Sequence, residues 1–195
     1  MIKSFEFYFD FSSPYSFLAH KEIIRIEQDY QVKIKYMPIL LGGLHKLAGI
    51  TTPAMIPIKA KYMIKDCKLW ADKYNIKFRF NPHFPINTLN LMRGVLIAEK
   101  GKFSKEFINK IFDSLWQDGL NLNDDLILNK LIKNFDLNIK NFLMQVTDPL
   151  IKDELRKLTN DAYKKGIFGA PSFIVNNKIF WGQDRLEFVI SEAKK

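Results

Sequence analysis

The residues best placed to do chemistry are the hydroxyls of the segment Ser13 to Ser16, Ser-Pro-Tyr-Ser, close to the start of the chain. A serine followed by proline is typical of a helix start, because Ser13 can cap the helix through its hydroxyl while Pro14 needs no acceptor in the first turn. The N–H groups and the dipole of a helix N-terminus stabilise an anion. The segment therefore indicates either an anion site or a helix cap with no further role.

Two segments near the end of the chain could complete such a site. From Phe168 to Ser172 a proline begins a predicted strand, and the bond between Ala170 and Pro171 is compatible with a cis peptide, which is largely confined to X–Pro bonds. An ordinary trans bond is the alternative. From Trp181 to Arg185 a glycine turn precedes the last predicted helix, where Asp184 can either cap that helix or bind an ammonium group.

The elements that must position these segments follow from the hydrophobic pattern. Ser4 to Asp10 alternates polar and aromatic residues as a strand does, with its phenylalanines on one face. A helix is predicted from Pro14 to about Glu27, and Val32 to Leu40 is rich in β-branched and aromatic residues. A connection of this length between two strands predicts a parallel βαβ unit.

The rest of the chain is helical in the middle and returns to strands at the end. Helical periodicity extends from Gly42 to about Lys165, and two short strands joined at Asn176-Asn177 precede a last helix. The order βαβ, helical block, ββα predicts an α/β protein with a mixed sheet. We expect a thioredoxin-like core at 1–41 and 166–195 and a large all-helical insertion at 42–165.

Redox members of that fold carry Cys-x-x-Cys where this chain has Ser13 and Ser16. The single cysteine, Cys67, excludes a disulfide framework, a thiolate-rich zinc site and a dithiol redox centre made by this chain alone. Cys67 belongs to an apolar helix stripe and is expected to be buried and inert. A thiolate at the helix N-terminus would therefore have to arrive with a small molecule.

The formal net charge is +9, from 30 Lys and Arg against 21 Asp and Glu, which raises the question of a nucleic-acid partner. The lysines are spread through the predicted helices rather than gathered in one block, so they favour a solvated basic surface. Attraction of small anionic ligands and binding to nucleic acid are the alternatives. No apolar stretch approaches the roughly 18 residues of a membrane span. The sequence therefore predicts a soluble, cytoplasmic protein that binds neither nucleic acid nor membrane.

The three segments that could form the site resemble the signatures of 2-hydroxychromene-2-carboxylate isomerases. These enzymes are glutathione-dependent relatives of the kappa-class glutathione transferases and of DsbA. The signatures are Phe9 to Ser16, Phe168 to Ser172 and Trp181 to Arg185. The resemblance covers most of the chain, including Pro38 to Gly43, Pro57 to Asp66 and Phe84 to Leu89.

This resemblance implies a DsbA-like fold, glutathione as the cofactor and Ser13 as the catalytic residue that holds the glutathione thiolate. In the family reaction the thiolate adds reversibly to a double bond of an unsaturated aromatic keto acid, which rotates before glutathione leaves. The other implied glutathione contacts are Ala170 and a cis Pro171 for the cysteinyl part, and Gly182, Gln183 and Asp184 for the γ-glutamyl end.

The substrate side of the predicted site comes from the middle region. Lys46 or His45, together with Asn87, are candidates to bind the carboxylate and the carbonyl of a small anionic aromatic substrate. Relatives usually carry an asparagine that helps to hold glutathione where this chain has Ile50, whose side chain cannot hydrogen-bond. A kappa-class-like transferase and a non-redox peptide-binding or protein-binding module are the alternatives to the isomerase. Because relatives are often dimers, the resemblance also suggests a homodimer.

Overall fold

One mixed sheet forms the centre of the protein in the computed structural model, which describes residues 4–30 and 32–195. Its strands are β1 (Ser4–Phe9), β2 (Lys33–Pro38), β3 (Ser172–Val175) and β4 (Lys178–Trp181), in the spatial order β2-β1-β3-β4. β1 is parallel to β2 and antiparallel to β3, and β3 is antiparallel to β4. The βαβ unit and the hairpin of the predicted thioredoxin-like core are therefore confirmed.

The helical block lies between β2 and β3 in the sequence, as predicted. The division into a core of 1–41 and 166–195 and an insertion of 42–165 stays a prediction. The α-helices in the described part of the chain are α1 (Pro14–Tyr30), α2 (Leu41–Ala48), α3 (Pro57–Tyr74), α4 (Leu89–Lys100), α5 (Ser104–Trp116), α6 (Asp125–Ile132), α7 (Ile139–Val146), α8 (Pro149–Lys164) and α9 (Leu186–Ala193).

The side chains of β1 alternate between the two faces of the sheet. Phe5, Phe7 and Phe9 are at most 1% exposed on one face, where Phe7 stacks on Phe173 of β3 with ring centroids 5.4 Å apart. Tyr8 faces the other side and packs in a second cluster with residues of α2 and α8. Burying each of these rings is worth about 2 kcal/mol, so β1 is firmly held in the core and fixes where α1 begins.

The helical block packs closely around α4 because Gly94 has no side chain. A Cβ at this position would come within 2.8 Å of the Phe107 ring and 3.0 Å of the Phe142 ring. Only glycine therefore lets α4 approach α5 and α7 at this distance. The N-terminus of α4 is placed by this packing, and that end of the helix lies beside the candidate site.

Local sequence signals account for several details of the fold. Asp148 caps α8 by accepting the N–H of Leu150 at 2.8 Å. The hairpin residues Asn176 and Asn177 have φ values of 49° and 60°, the left-handed conformation expected of a tight turn. The sequence predicts that the last helix starts near Gln183 or Asp184, whereas a 3-10 turn occupies Gln183–Arg185 and α9 follows it.

The structure buries Cys67, as its place in an apolar helix stripe predicts. Cys67 is fully buried, and burial raises the pKa of its thiol well above the usual range, so the thiol is a poor nucleophile. Residues 4–30 and 32–195 contain no helix that is long and apolar enough to cross a membrane. The same residues hold no group of three or more His, Cys, Asp or Glu side chains placed to bind a metal ion.

His20 makes the stability of the fold sensitive to acid. It is 1% exposed, with Nδ1 at 3.1 Å from the Tyr36 hydroxyl and Nε2 at 3.3 Å from Asn109 Oδ1. Burial, and then the charge of Lys21, lower the pKa of His20 to about 3. The unfolded chain binds this proton near pH 6.5, and the folded chain does so only near pH 3, so stability is lost as pH falls through that window.

We therefore expect His20 alone to lower the free energy of unfolding by about 3 kcal/mol between pH 7 and pH 4. Urea denaturation of the wild type and of His20→Gln at a series of pH values measures this difference. The variant should be less stable at pH 7 but lose less stability on acidification. Parallel pH profiles for the two proteins would contradict the prediction.

Candidate active site

The turn between β1 and α1 is held in place by the helical block. The Phe11 N–H donates to Met92 Sδ at 3.4 Å, and the Phe11 carbonyl accepts from Trp116 Nε1 at 2.9 Å. The N–H of Ser13 donates to the Asp10 carbonyl at 3.1 Å and closes the turn. The first turn of α1 is therefore fixed from both sides.

Ser13 connects the start of α1 to the proline loop, residues 168–172. Its hydroxyl accepts the N–H of Ser16 at 3.1 Å, which confirms the predicted cap, and donates to the carbonyl of Ala170 at 3.0 Å. Ala170 is 157 residues further along the chain and forms a cis peptide bond with Pro171, as predicted. The helix N-terminus and the proline loop therefore meet at the hydroxyl of Ser13, a residue that is only 4% exposed.

The first turn of α1 also has a polar group that the described residues leave without a partner. The hydroxyl of Ser16 is buried and has no hydrogen-bond partner within residues 4–30 and 32–195. A buried hydroxyl without a partner is unfavourable, so a polar ligand at this helix end would be stabilised by it. Together with the dipole of α1, this group fits the anionic sulfur and the peptide groups of glutathione.

The proline loop in turn holds the third segment. The N–H of Gly182 donates to the carbonyl of Pro171 at 3.0 Å. The indole of Trp181 lies over Gly169, where a Cβ would be 2.6 Å from Nε1. Gly182 has a φ of 111°, a conformation that residues with a Cβ rarely adopt. The three segments identified in the sequence are therefore joined by hydrogen bonds into one unit.

Asp184 lies at the edge of a cavity whose lining carries charges of both signs. It makes no capping hydrogen bond and pairs instead with Arg185 at 2.8 Å. Its side chain lines a cavity of about 310 Å³ between α1, α3 and α9, together with Tyr74, whose hydroxyl donates to the Gln183 carbonyl at 3.3 Å. Burial, and then the charges of three nearby carboxylates, raise the pKa of Tyr74 to about 12. The lining holds four carboxylates, those of Glu22, Asp29, Asp184 and Glu187, against the two cations Arg25 and Lys73.

The substrate candidates lie in segments that adjoin Asp10. His45 is half-buried on α2, where burial lowers its pKa and the nearby Asp10 carboxylate opposes that shift. Lys46 is exposed on the same helix. Asn87 is exposed, and its Oδ1 accepts the N–H of Leu89 at 3.1 Å, so it contributes to the cap of α4. The substrate-binding roles of these side chains stay predictions.

Asp10 is a residue of this region that the sequence pattern did not single out. Its carboxylate is 1% exposed and accepts the N–H of Leu41 and the hydroxyl of Thr88, each at 2.7 Å. The available signal was its position between Phe9 and Phe11. This position does not by itself distinguish a buried carboxylate from an exposed one, since Glu6, between Phe5 and Phe7, is only partly buried. A carboxylate that is buried must be hydrogen-bonded or paired.

The chain is similar to known proteins over nearly its whole length. The family model of the DSBA-like thioredoxin domain matches residues 5–193. The chain is 31% identical to a 2-hydroxychromene-2-carboxylate isomerase of Sphingobium xenophagum, over 98% of each chain. It is 28% identical to the glutathione S-transferase kappa 1 of Rattus norvegicus, over 94% of this chain and 88% of that protein.

A solved structure shows the same fold. The structure of a 2-hydroxychromene-2-carboxylate isomerase has a TM-score of 0.88 and 23% sequence identity, with coverage of 96% of this chain and 93% of that chain. The DsbA-like fold and the family resemblance predicted from the three segments are therefore confirmed. The chain belongs to the DSBA-like thioredoxin family, and it is an enzyme related to the 2-hydroxychromene-2-carboxylate isomerases and kappa-class glutathione transferases.

Proposed function

We propose that this enzyme is a glutathione-dependent isomerase of the 2-hydroxychromene-2-carboxylate isomerase type. The proposal depends on the hydrogen bond between the Ser13 hydroxyl and the Ala170 carbonyl before cis Pro171. This bond puts a hydroxyl donor, a helix N-terminus and a peptide-binding carbonyl at one point. The likeness to isomerases and to glutathione transferases supports the same ligand.

Glutathione would change the partner of the Ser13 hydroxyl. The Ala170 carbonyl is the acceptor that an extended peptide uses when it pairs beside such a loop. If the cysteinyl N–H takes this carbonyl, the Ser13 proton is released to donate to the sulfur. The N–H of Ser16 still bonds the Ser13 oxygen and keeps the hydroxyl in place. The α1 N-terminus adds a field that favours the thiolate.

The γ-glutamyl end would lie beside Asp184, at the edge of the cavity between α1, α3 and α9. Asp184 would exchange its partner Arg185 for the ammonium group of the ligand. The side chains of that ion pair are 33% and 49% exposed, and an exposed pair is worth at most about 1 kcal/mol, so the exchange costs little. Gly182 and Gln183 would hold the same end of the tripeptide through the turn that they form.

The reaction needs a nucleophile and a way to hold an anionic substrate. When bound, glutathione supplies a thiolate that adds reversibly to the double bond of an unsaturated aromatic keto acid, which permits rotation about the resulting single bond. Lys46 or His45, with Asn87, would bind the carboxylate and the carbonyl. The net charge of +9 favours the approach of such an anion.

The test is a titration of the wild type with glutathione, followed by thiolate absorbance, with S-methylglutathione as the control that cannot ionise. We expect saturable binding in the millimolar range or below, with the pKa of the bound thiol lowered. We also expect interconversion of 2-hydroxychromene-2-carboxylate and hydroxybenzylidenepyruvate only when glutathione is present. Absence of binding and of a lowered thiol pKa would contradict the proposal.

A kappa-class-like transferase is the second candidate, favoured by the likeness to the rat protein. It would use the same Ser13 site but consume glutathione on an electrophile such as an aryl halide, whereas the isomerase regenerates it. Peptide binding that glutathione does not affect would instead indicate a non-redox binding module. A cytoplasmic location and a homodimer are part of the same proposal, and the latter is checked by sedimentation of the purified enzyme.

A further inference from the structure

The carboxylate of Asp10 joins three segments that are distant in the sequence. Oδ1 accepts the N–H of Ser12 at 2.9 Å, in its own turn, and the hydroxyl of Thr88 at 2.7 Å, in the loop before α4. Oδ2 accepts the N–H of Leu41 at 2.7 Å, at the start of α2. With three donors around it and 1% exposure, this carboxylate is a fixed point between the three segments.

At the N-termini of two helices, a contact with this carboxylate takes the place of an ordinary side-chain cap. The N-cap of α2 is Leu40, which has no side-chain acceptor, so Asp10 supplies the acceptor for the first N–H of that helix. Thr88 is the N-cap of α4, a position where threonine usually accepts an N–H of its own helix. Its hydroxyl donates to Asp10 instead and makes no capping bond. Departures of this kind from local rules occur mostly where function requires them.

The three segments carry the groups that the proposed reaction needs near one another. The turn that contains Asp10 leads to Ser13, whose N–H bonds the Asp10 carbonyl at 3.1 Å. α2 carries His45 and Lys46, and Asn87 precedes Thr88. In the described part of the chain, no hydrogen bond from Asp10 reaches the proline loop or the 182–184 turn, which would hold the glutathione peptide.

We propose that Asp10 is a positioning residue that fixes α2 and the loop before α4 relative to Ser13. It would set the distance between the sulfur held at Ser13 and the bound substrate, while leaving the glutathione peptide contacts alone. Since misplacement by about 1 Å can cost a hundredfold in rate, loss of this link should appear in turnover rather than in the affinity for glutathione. This inference rests on the proposed function.

Asp10→Asn and Thr88→Val each weaken the link while changing side-chain size little. Asparagine at position 10 would turn an amide NH2 towards the Leu41 N–H, and valine at position 88 cannot donate to Oδ1. We expect each variant to lower kcat by about tenfold or more, with the KM for glutathione changed less than about twofold. Thr88→Ser retains the hydroxyl and should retain kcat, and this pair keeps the inference testable if Asp10→Asn fails to fold.

The control for stability is Tyr36→Phe, which removes one hydroxyl from the core. That hydroxyl lies 3.1 Å from His20 Nδ1 and bonds none of the three segments. We expect Tyr36→Phe to lower the melting temperature about as much as Thr88→Val while kcat stays at the wild-type value.

Unchanged kcat in both Asp10→Asn and Thr88→Val would overturn the role of Asp10. An equal loss of kcat in Tyr36→Phe, or a rise in the KM for glutathione that accounts for the whole effect, would also overturn it. A wild type without glutathione-dependent turnover would contradict the proposed function, and with it this inference, so the two failures are distinguishable.

Discussion

Ser13→Ala is expected to lower glutathione-dependent turnover by roughly 10²- to 10³-fold, the loss typical of removing one hydrogen-bond donor to a developing anion. Alanine leaves the α1 dipole and the Ala170 carbonyl in place but takes away the hydroxyl that now bonds this carbonyl at 3.0 Å. The sulfur then has no side-chain donor at this position. The pKa of the bound thiol should therefore rise towards that of free glutathione, which thiolate absorbance over a pH series measures.

The same substitution removes a helix cap, and that effect must be separated from the effect on the thiolate. The Ser13 hydroxyl accepts the N–H of Ser16, and loss of a serine cap costs about 1 kcal/mol of stability. Asp148→Ala is the matched control, because it removes the cap of α8, where Asp148 accepts the N–H of Leu150 at 2.8 Å. We expect a similar loss of stability in this variant with turnover unchanged.

Ser13→Thr completes the series, because threonine keeps both a hydroxyl and a capping oxygen. It should retain a lowered thiol pKa and more turnover than Ser13→Ala. If Ser13→Ala matched the wild type in thiol pKa and turnover, Ser13 would be only a cap. If Asp148→Ala lost turnover to the same extent, the loss in Ser13→Ala would reflect stability and not chemistry.

The parts of the site that could be predicted are those with local causes. Ser13 before Pro14 predicts a helix start whatever the rest of the chain does. The two asparagines of the hairpin predict a left-handed turn for the same reason, and their φ values of 49° and 60° agree. A proline at the start of a strand also suggested a cis peptide bond between Ala170 and Pro171, although a trans bond was an equal alternative.

The parts that could not be predicted depend on contacts between distant segments. The carboxylate of Asp10 bonds Leu41 and Thr88, which are 31 and 78 residues away. Nothing in the pattern of β1 indicates which helices will begin beside it. The same is true of Trp116, which bonds the carbonyl of Phe11 across 105 residues. Periodicity identifies which face of a helix is buried, but it does not identify the partner of that face.

Gly182→Ala is expected to weaken the binding of glutathione by at least about tenfold, or about 1.4 kcal/mol. Gly182 has φ 111° and ψ 146°, a region that side chains with a Cβ avoid, and an added Cβ would overlap Oδ1 of Asp184. The carboxylate must then move away from its present place at the cavity. The strain should also lower the free energy of unfolding by about 1–3 kcal/mol. Titration with glutathione and urea denaturation measure the two effects.

Gly119→Ala separates backbone strain from the displacement of Asp184. Gly119 has φ 68°, and its added Cβ would meet mainly the side chain of Arg79, 3.1 Å away, which is exposed and can shift. This variant should lose stability and bind glutathione as the wild type does. Asp184→Asn should do the opposite, because it removes the charge without straining the turn. If Gly182→Ala lost stability but bound glutathione normally, the γ-glutamyl end would not lie at this turn, and Asp184 would have no part in binding.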